Sequence, residues 1–141
     1  MSALLNLTIT GAITAQTSTA LQVQGQMGVE SITLQANFTY GSGGTTATVW
    51  VQTSLDGGLT WVDIANWAFT TSSLRSVATL SALTPVTTVY TATDGTLGSN
   101  TCKDGILGHQ YRTKTTTTGT YAGGTTLRVD LIARGRLTSL S

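Results

Sequence analysis

The sequence predicts an all-β fold: one antiparallel β-sandwich domain over residues 1–141, jelly-roll or Greek-key in its connections, with about eight or nine strands. Three observations predict it. Ile32, Leu34, Ala36, Phe38 and Tyr40 alternate without a break with Ser31, Thr33, Gln35, Asn37 and Thr39, the period of a half-buried strand. Threonine is abundant, glycine occurs sixteen times and proline once, a composition that favours β-branched extended backbone with many turns and gives helix little support. Turn signals such as Asp94-Gly95 and Asp104-Gly105 separate the short alternating runs, the spacing of two antiparallel sheets packed face to face.

The elements follow in order. Leu5, Leu7 and Ile9 alternate with Asn6, Thr8 and Thr10 and predict a first strand that stops at Gly11; Leu21 and Val23 predict a second, ended by Gly25. After the long third strand, Gly41-Ser42-Gly43-Gly44 turns the chain into Thr46–Gln52. Trp67–Phe69 and Val77–Leu80 are short strands, and Pro85–Thr91 is an edge strand, because proline donates no ladder hydrogen bond. A hairpin closes the chain: Tyr111–Thr118 leads into a turn at Gly119–Gly124, and Leu127, Val129, Leu131 and Ala133 then line one face opposite Arg128, Asp130, Ile132 and Arg134.

Between two of these runs stands Ser54-Leu55-Asp56-Gly57-Gly58-Leu59-Thr60-Trp61. Its glycines permit the positive φ angles of a tight turn, so the segment predicts a β-hairpin. The spacing also resembles the Asp-box, Ser-x-Asp-x-Gly-x-Thr-Trp, a turn motif of sialidase-type propeller blades and other β proteins. Ser54, Asp56, Gly58, Thr60 and Trp61 match it. The resemblance implies a structural carboxylate that accepts backbone N–H groups of the turn, with Trp61 packed inside the fold. A propeller is excluded by the chain length and the single copy of the motif.

Only 9% of the residues are charged and 40% are apolar, against about 25% charged in an average protein. The formal net charge is +1. Such a surface suits burial against other subunits better than solitary life at high concentration, so a homo-oligomer is expected. Residues 1–74 hold three acids and no base, whereas residues 75–141 hold all seven bases and three acids, net charges of −3 and +4. Arg112, Lys114, Arg128, Arg134 and Arg136 are placed together on the outer face of the closing hairpin, either meeting acidic groups of a partner subunit or forming a solvated face. A pI near 7.9 and aromatics that are not interleaved with the bases argue against nucleic acid as the partner.

Catalytic chemistry finds few candidates. His109 is the single histidine and no nucleophile elbow accompanies it. One cysteine and one histidine fall short of a zinc site, no Asp-x-Asp-x-Asp-Gly loop suggests calcium, and no cofactor is expected. Asp56, Asp94 and Asp104 precede glycine and are explained by turns, leaving Glu30, Asp63 and Asp130. Cys102 is read as a free thiol or as an intersubunit disulfide, with Lys103 favouring the thiolate. Trp50 is the candidate for an exposed indole that stacks on a sugar, the basis of an alternative reading as a carbohydrate-binding module for host attachment. No run reaches the ~18 apolar residues of a membrane-spanning helix, and the first residues lack the basic region of a signal peptide. Synthesis in the cytoplasm, with exit by lysis or in a particle, is the expectation.

The run Thr48–Ala65, together with Asp104–Gly108, Tyr111–Lys114 and Leu127–Asp130, is similar to small β-sandwich structural proteins of tailed bacteriophages. The resemblance covers residues 46–134. It implies a non-enzymatic virion subunit present in many copies at the neck or collar, the capsid surface or the tail, whose partners are other virion proteins and further copies of itself.

Overall fold

The computed structural model describes residues 2–23 and 29–135. Eleven strands and no helix occur among them. In chain order they are β1 (Ser2–Thr8), β2 (Gln16–Thr17), β3 (Leu21–Gln22), β4 (Val29–Thr39), β5 (Ser42–Gly43) and β6 (Thr46–Ser54). There follow β7 (Val62–Phe69), β8 (Leu74–Ser81), β9 (Gln110–Thr118), β10 (Tyr121–Ala122) and β11 (Thr126–Gly135). One sheet runs β1-β11-β4-β8; the other runs β2-β9-β6-β7, with β3 also on β9, and β5 and β10 form a small pair. All pairings are antiparallel.

The two large sheets close over one core because the period-two pattern sends every second side chain inward. Ile32, Leu34, Ala36 and Phe38 of β4, Leu127, Val129 and Leu131 of β11, and Ala47, Val49 and Val51 of β6 are essentially inaccessible. Phe38 stacks on Phe69 of the opposite sheet at 5.0 Å between centroids, and Tyr121 meets Phe38 edge-on at 5.7 Å while donating its hydroxyl to the Thr70 carbonyl. Such pairs contribute about 0.5–1.5 kcal/mol each beyond the area they bury. The β9 face turned to this core carries Tyr111, Thr113, Thr115 and Thr117. Threonine there acts as a β-branched filler, and the Thr113 and Thr115 hydroxyls are buried without a hydrogen-bond partner among the described residues.

Three expectations need correction. The closing hairpin is not one: β9 pairs with β6, β11 pairs with β1 and β4, and the turn at 119–124 carries the chain from one sheet to the other. Alternation shows that each segment is a strand but not which strand it pairs with. Pro85–Thr91 forms no strand; it belongs to a long connection, residues 82–109, whose sole bridge is Ala65 with Cys102. The first strand ends at Thr8, although Ile9 continues inward and is fully buried. The strand count exceeds eight or nine because four pieces have only two residues each. Among the long strands, β6 and β7 alone form a local hairpin, joined by the Asp-box turn.

Candidate functional site

Along β6, Ala47, Val49, Val51 and Thr53 point into the core, so Trp50, Gln52 and Ser54 point to the other side of the sheet. A bulge aligns β7 with them. Val51 opposes Ala65 and Gln52 opposes Asp63, which leaves Ile64 as the extra residue. The bulge lets Ile64 and Ala65 both enter the core and sets Asp63 beside Gln52 on the outer face. From β9, Arg112 and Lys114 reach the same face opposite Gln52 and Trp50.

The connection 82–109 lies across this face and is tied to Asp63. One carboxylate oxygen of Asp63 accepts the Gln52 side-chain amide at 2.8 Å. The other accepts the Thr93 hydroxyl at 2.9 Å and three successive backbone N–H groups, those of Gly95, Thr96 and Leu97, at 2.7, 3.0 and 3.2 Å. Successive N–H groups converge in this way only where the backbone forms a nest, which here turns through Gly95 at φ +96°. Asp63 is fully buried, so five donors offset the cost of removing its charge from water.

Asp94, at the tip of the same loop, extends the network. It accepts the Gln52 amide and the Lys114 ammonium, the latter at 2.7 Å, and lies 3.8 Å from the Arg112 guanidinium. Partial burial works against its charge, but the bonds from Lys114 and Gln52 and the nearby positive charges outweigh that and hold its pKa below the ordinary value. Arg112 donates to the Gln52 side-chain amide oxygen at 2.8 Å and lies over the Trp61 ring, 4.4 Å from its centroid.

The Asp-box turn has the expected geometry. Asp56 accepts the Thr60 N–H at 2.8 Å and the Thr60 and Ser54 hydroxyls, and the Ser54 hydroxyl accepts the Gly58 N–H. These bonds, the Thr60 hydroxyl first, lower the pKa of Asp56. Gly57 and Gly58 stand at φ +76° and +96°, and a Cβ on Gly58 would press on the Gln110 side chain. Trp61 departs from expectation: it is half-buried beneath Arg112 rather than inside the core, a place that Trp67 takes.

The five basic residues do not share one face. Arg112 and Lys114 lie on the outer side of one sheet and bond to Asp94. Arg128 lies on the outer side of the other sheet, paired with Asp130 at 3.0 Å, and Arg134 donates to the Thr33 hydroxyl there. Arg136 lies outside the described residues. Trp50 is half-buried, with its indole N–H donated to the Leu97 carbonyl at 3.0 Å, so the loop and not solvent meets its polar edge. Cys102 is exposed, but desolvation of its sulfur and the charge of Asp104 raise the thiol pKa, contrary to the thiolate expected from Lys103. The Lys103 ammonium lies over Tyr90 instead.

His109 and Ser54 border an open cleft of about 280 Å³ beside the Asp-box turn, together with Leu55, Leu107 and Gln110. The Ser54 hydroxyl is held by Asp56 and Gly58. Among the described residues no group of three or more His, Cys, Asp or Glu side chains gathers to hold a metal ion, and no helix is long and apolar enough to cross a membrane. The polar cluster missed in the sequence, Gln52, Asp63 and Asp94, holds a loop on a sheet. Its signal was present in Val62-Asp63-Ile64-Ala65, where an acid interrupts an apolar run. Compared with protein-family models, curated proteins and solved structures, the chain matches none.

Proposed function

We propose that this chain is a non-enzymatic structural subunit of a tailed-phage virion, present in multiple copies at the neck or collar or on the capsid surface. The observation that carries this reading is the contrast between the two outer sheet faces. The face of β9, β6 and β7 is covered by the chain's own loop. The face of β11, β4 and β8 carries Thr33, Gln35, Asn37, Arg75, Val77, Thr79, Thr126 and Ile132, and its side-chain hydrogen bonds among the described residues stay within the face. A threonine-rich face with one closed ion pair, and with Arg75 and Arg134 as the cations that no acid of the described residues neutralises, offers area and hydrogen-bonding groups that suit contact with a neighbouring subunit.

The phage-like pattern within residues 46–134 and the 9% charge content support the same reading. The experiment is mass measurement of the purified chain over a wide concentration range, together with co-sedimentation with capsids and tails. Association with itself or with those particles is expected; a strict monomer with affinity for neither would overturn the proposal.

A further inference from the structure

We infer that the free edge of β8 pairs with β8 of a second copy of this chain, antiparallel, about a twofold axis at Val77. The inference rests on the multi-copy reading for its biological role, while its geometry comes from the strand alone.

Each large sheet has two edges, and three of the four are protected. β1 carries a bulge at Leu4, between Ala3 and Leu5. The edge strands on β9 have two residues each. β7 is bonded along its length to residues 93–103: Asp63 N–H to the Thr93 carbonyl, Asn66 N–H to the Thr101 carbonyl, Lys103 N–H to the Ile64 carbonyl, and Ala68 N–H to the Asn100 side chain. Bulges, short strands and covering loops are the usual means of blunting an edge. β8 has none of them before Ser81: it is eight residues long, unbroken in its register with β4, and without proline.

The free groups of β8 can be assigned by parity. Ala82 donates to Glu30, so even-numbered residues of β8 face β4. Ser81, in contrast, donates to the Asp104 carboxylate and accepts from the Gly105 N–H, on the far side. Arg75, Val77 and Thr79 therefore direct their N–H and C=O groups outward, and among the described residues none of these groups has a partner. A second β8 placed with Val77 opposite Val77 sets Arg75 opposite Thr79 and Thr79 opposite Arg75. These are three pairs of two bonds each, six in all, and Ser81 keeps its own partners.

The side chains fit that register. Leu74-Arg75-Ser76-Val77-Ala78-Thr79-Leu80 is nearly palindromic about Val77. Leucine meets leucine, serine meets alanine, the single charge meets threonine, and Val77, 68% exposed in one copy, meets itself. Leu74, 54% exposed, gains the second copy's Leu80 as a neighbour. Because Val77 faces Val77 across a twofold normal to the sheet, the two four-stranded sheets join into one of eight strands, and their bare outer faces become a single continuous surface.

The test is sedimentation velocity of the full chain in reducing buffer over a hundredfold concentration range, combined with amide hydrogen exchange. Self-association is expected, with exchange at Arg75, Val77 and Thr79 slowed at least tenfold on concentration while Ser76, Ala78 and Leu80 stay protected throughout. V77P removes one outward N–H without touching the bonds to β4, and V77K sets two ammonium groups against each other. Each variant should weaken association at least tenfold, and V77K provides the readout if V77P does not fold. Association that persists in both variants, with the three amides indifferent to concentration, overturns the inference and leaves the multi-copy reading standing. Protection that appears only on adding capsids or tails shows that a foreign strand occupies the edge and overturns self-pairing. A strict monomer with affinity for no particle overturns the inference and the subunit reading together.

Discussion

β7 and β8 are consecutive in the chain, each eight residues long and each the edge of its sheet, yet one is interior and the other bare. Every residue of β7 except Ala68 is buried, whereas in β8 only Leu80 is. The difference does not come from hydrophobicity, because β7 contains Asp63 and Asn66 and β8 exposes Leu74 and Val77. It comes from a buried carboxylate that collects loop N–H groups and holds an irregular segment where another strand would otherwise sit. Polar groups placed at a bulge have completed one edge from within the chain, and the second edge is left open.

Removing the clamp should have the largest effect. Asp63→Ala leaves three loop N–H groups and the Thr93 hydroxyl without their acceptor and the Gln52 amide with Asp94 alone. The expected cost is at least about 3 kcal/mol, since each buried unsatisfied donor costs roughly 1–3 kcal/mol and partial relaxation recovers some of it. Urea unfolding measures the loss. Amide exchange at Asp63, Asn66 and Ala68 should accelerate well beyond the global change, which would make β7 resemble β8.

Acid should loosen the same cover selectively. Asp94 and Asp104, which bind the loop to β9 and to the end of β8, both have pKa values below the ordinary 3.8. A depressed folded value means that the stabilisation is fully present above about pH 4 and is lost as pH falls through the folded values. Trp50 emission should shift to the red in that range, because the Leu97 carbonyl leaves its indole, and the Ser81 amide should lose its Asp104 acceptor, while exchange at Arg75, Val77 and Thr79 on the outward side of β8 stays unchanged. Alkali acts differently. Burial pushes the Tyr111 phenol up to about 12, so its contribution is complete below pH 10 and disappears as pH rises through about 12. Because Tyr111 lies between the sheets, the alkaline transition should open both edges at once; an acid transition that does the same would remove the distinction between them.

The contrast also explains what could be read in the sequence. Period-two alternation identified β4, β6, β9 and β11 as strands and the buried faces of β4 and β11, because a strand's core residues are a local property. The Asp-box turn was equally legible, since Ser54, Asp56 and Thr60 bond to one another within a few residues. Pairing was not. β9 and β11 alternate well and are separated only by the turn that holds β10, but their long partners are β6 and β4, chosen by the core as a whole. The clamp was hidden for a related reason: Asp94 before glycine is a sufficient turn signal alone, and only the folded chain brings it to Lys114 and Gln52. The basic residues were misplaced because residues far apart in the fold share one stretch of sequence.

A matched pair of substitutions gives the finest measure of the two edges. Asn66 of β7 is buried; its side chain donates to the Leu97 carbonyl and accepts the Asn100 N–H. Asn66→Ala should cost about 1–3 kcal/mol at any protein concentration, because the orphaned groups belong to the same chain. Val77→Lys on β8 should change the stability of the dilute chain by no more than about 0.5 kcal/mol, since the side chain is mostly exposed. At high concentration the order should change: wild-type thermal stability rises through coupling of folding to association, and the lysine variant fails to follow it. If Val77→Lys costs as much as Asn66→Ala in dilute solution, β8 is already covered within one chain and the two edges are alike.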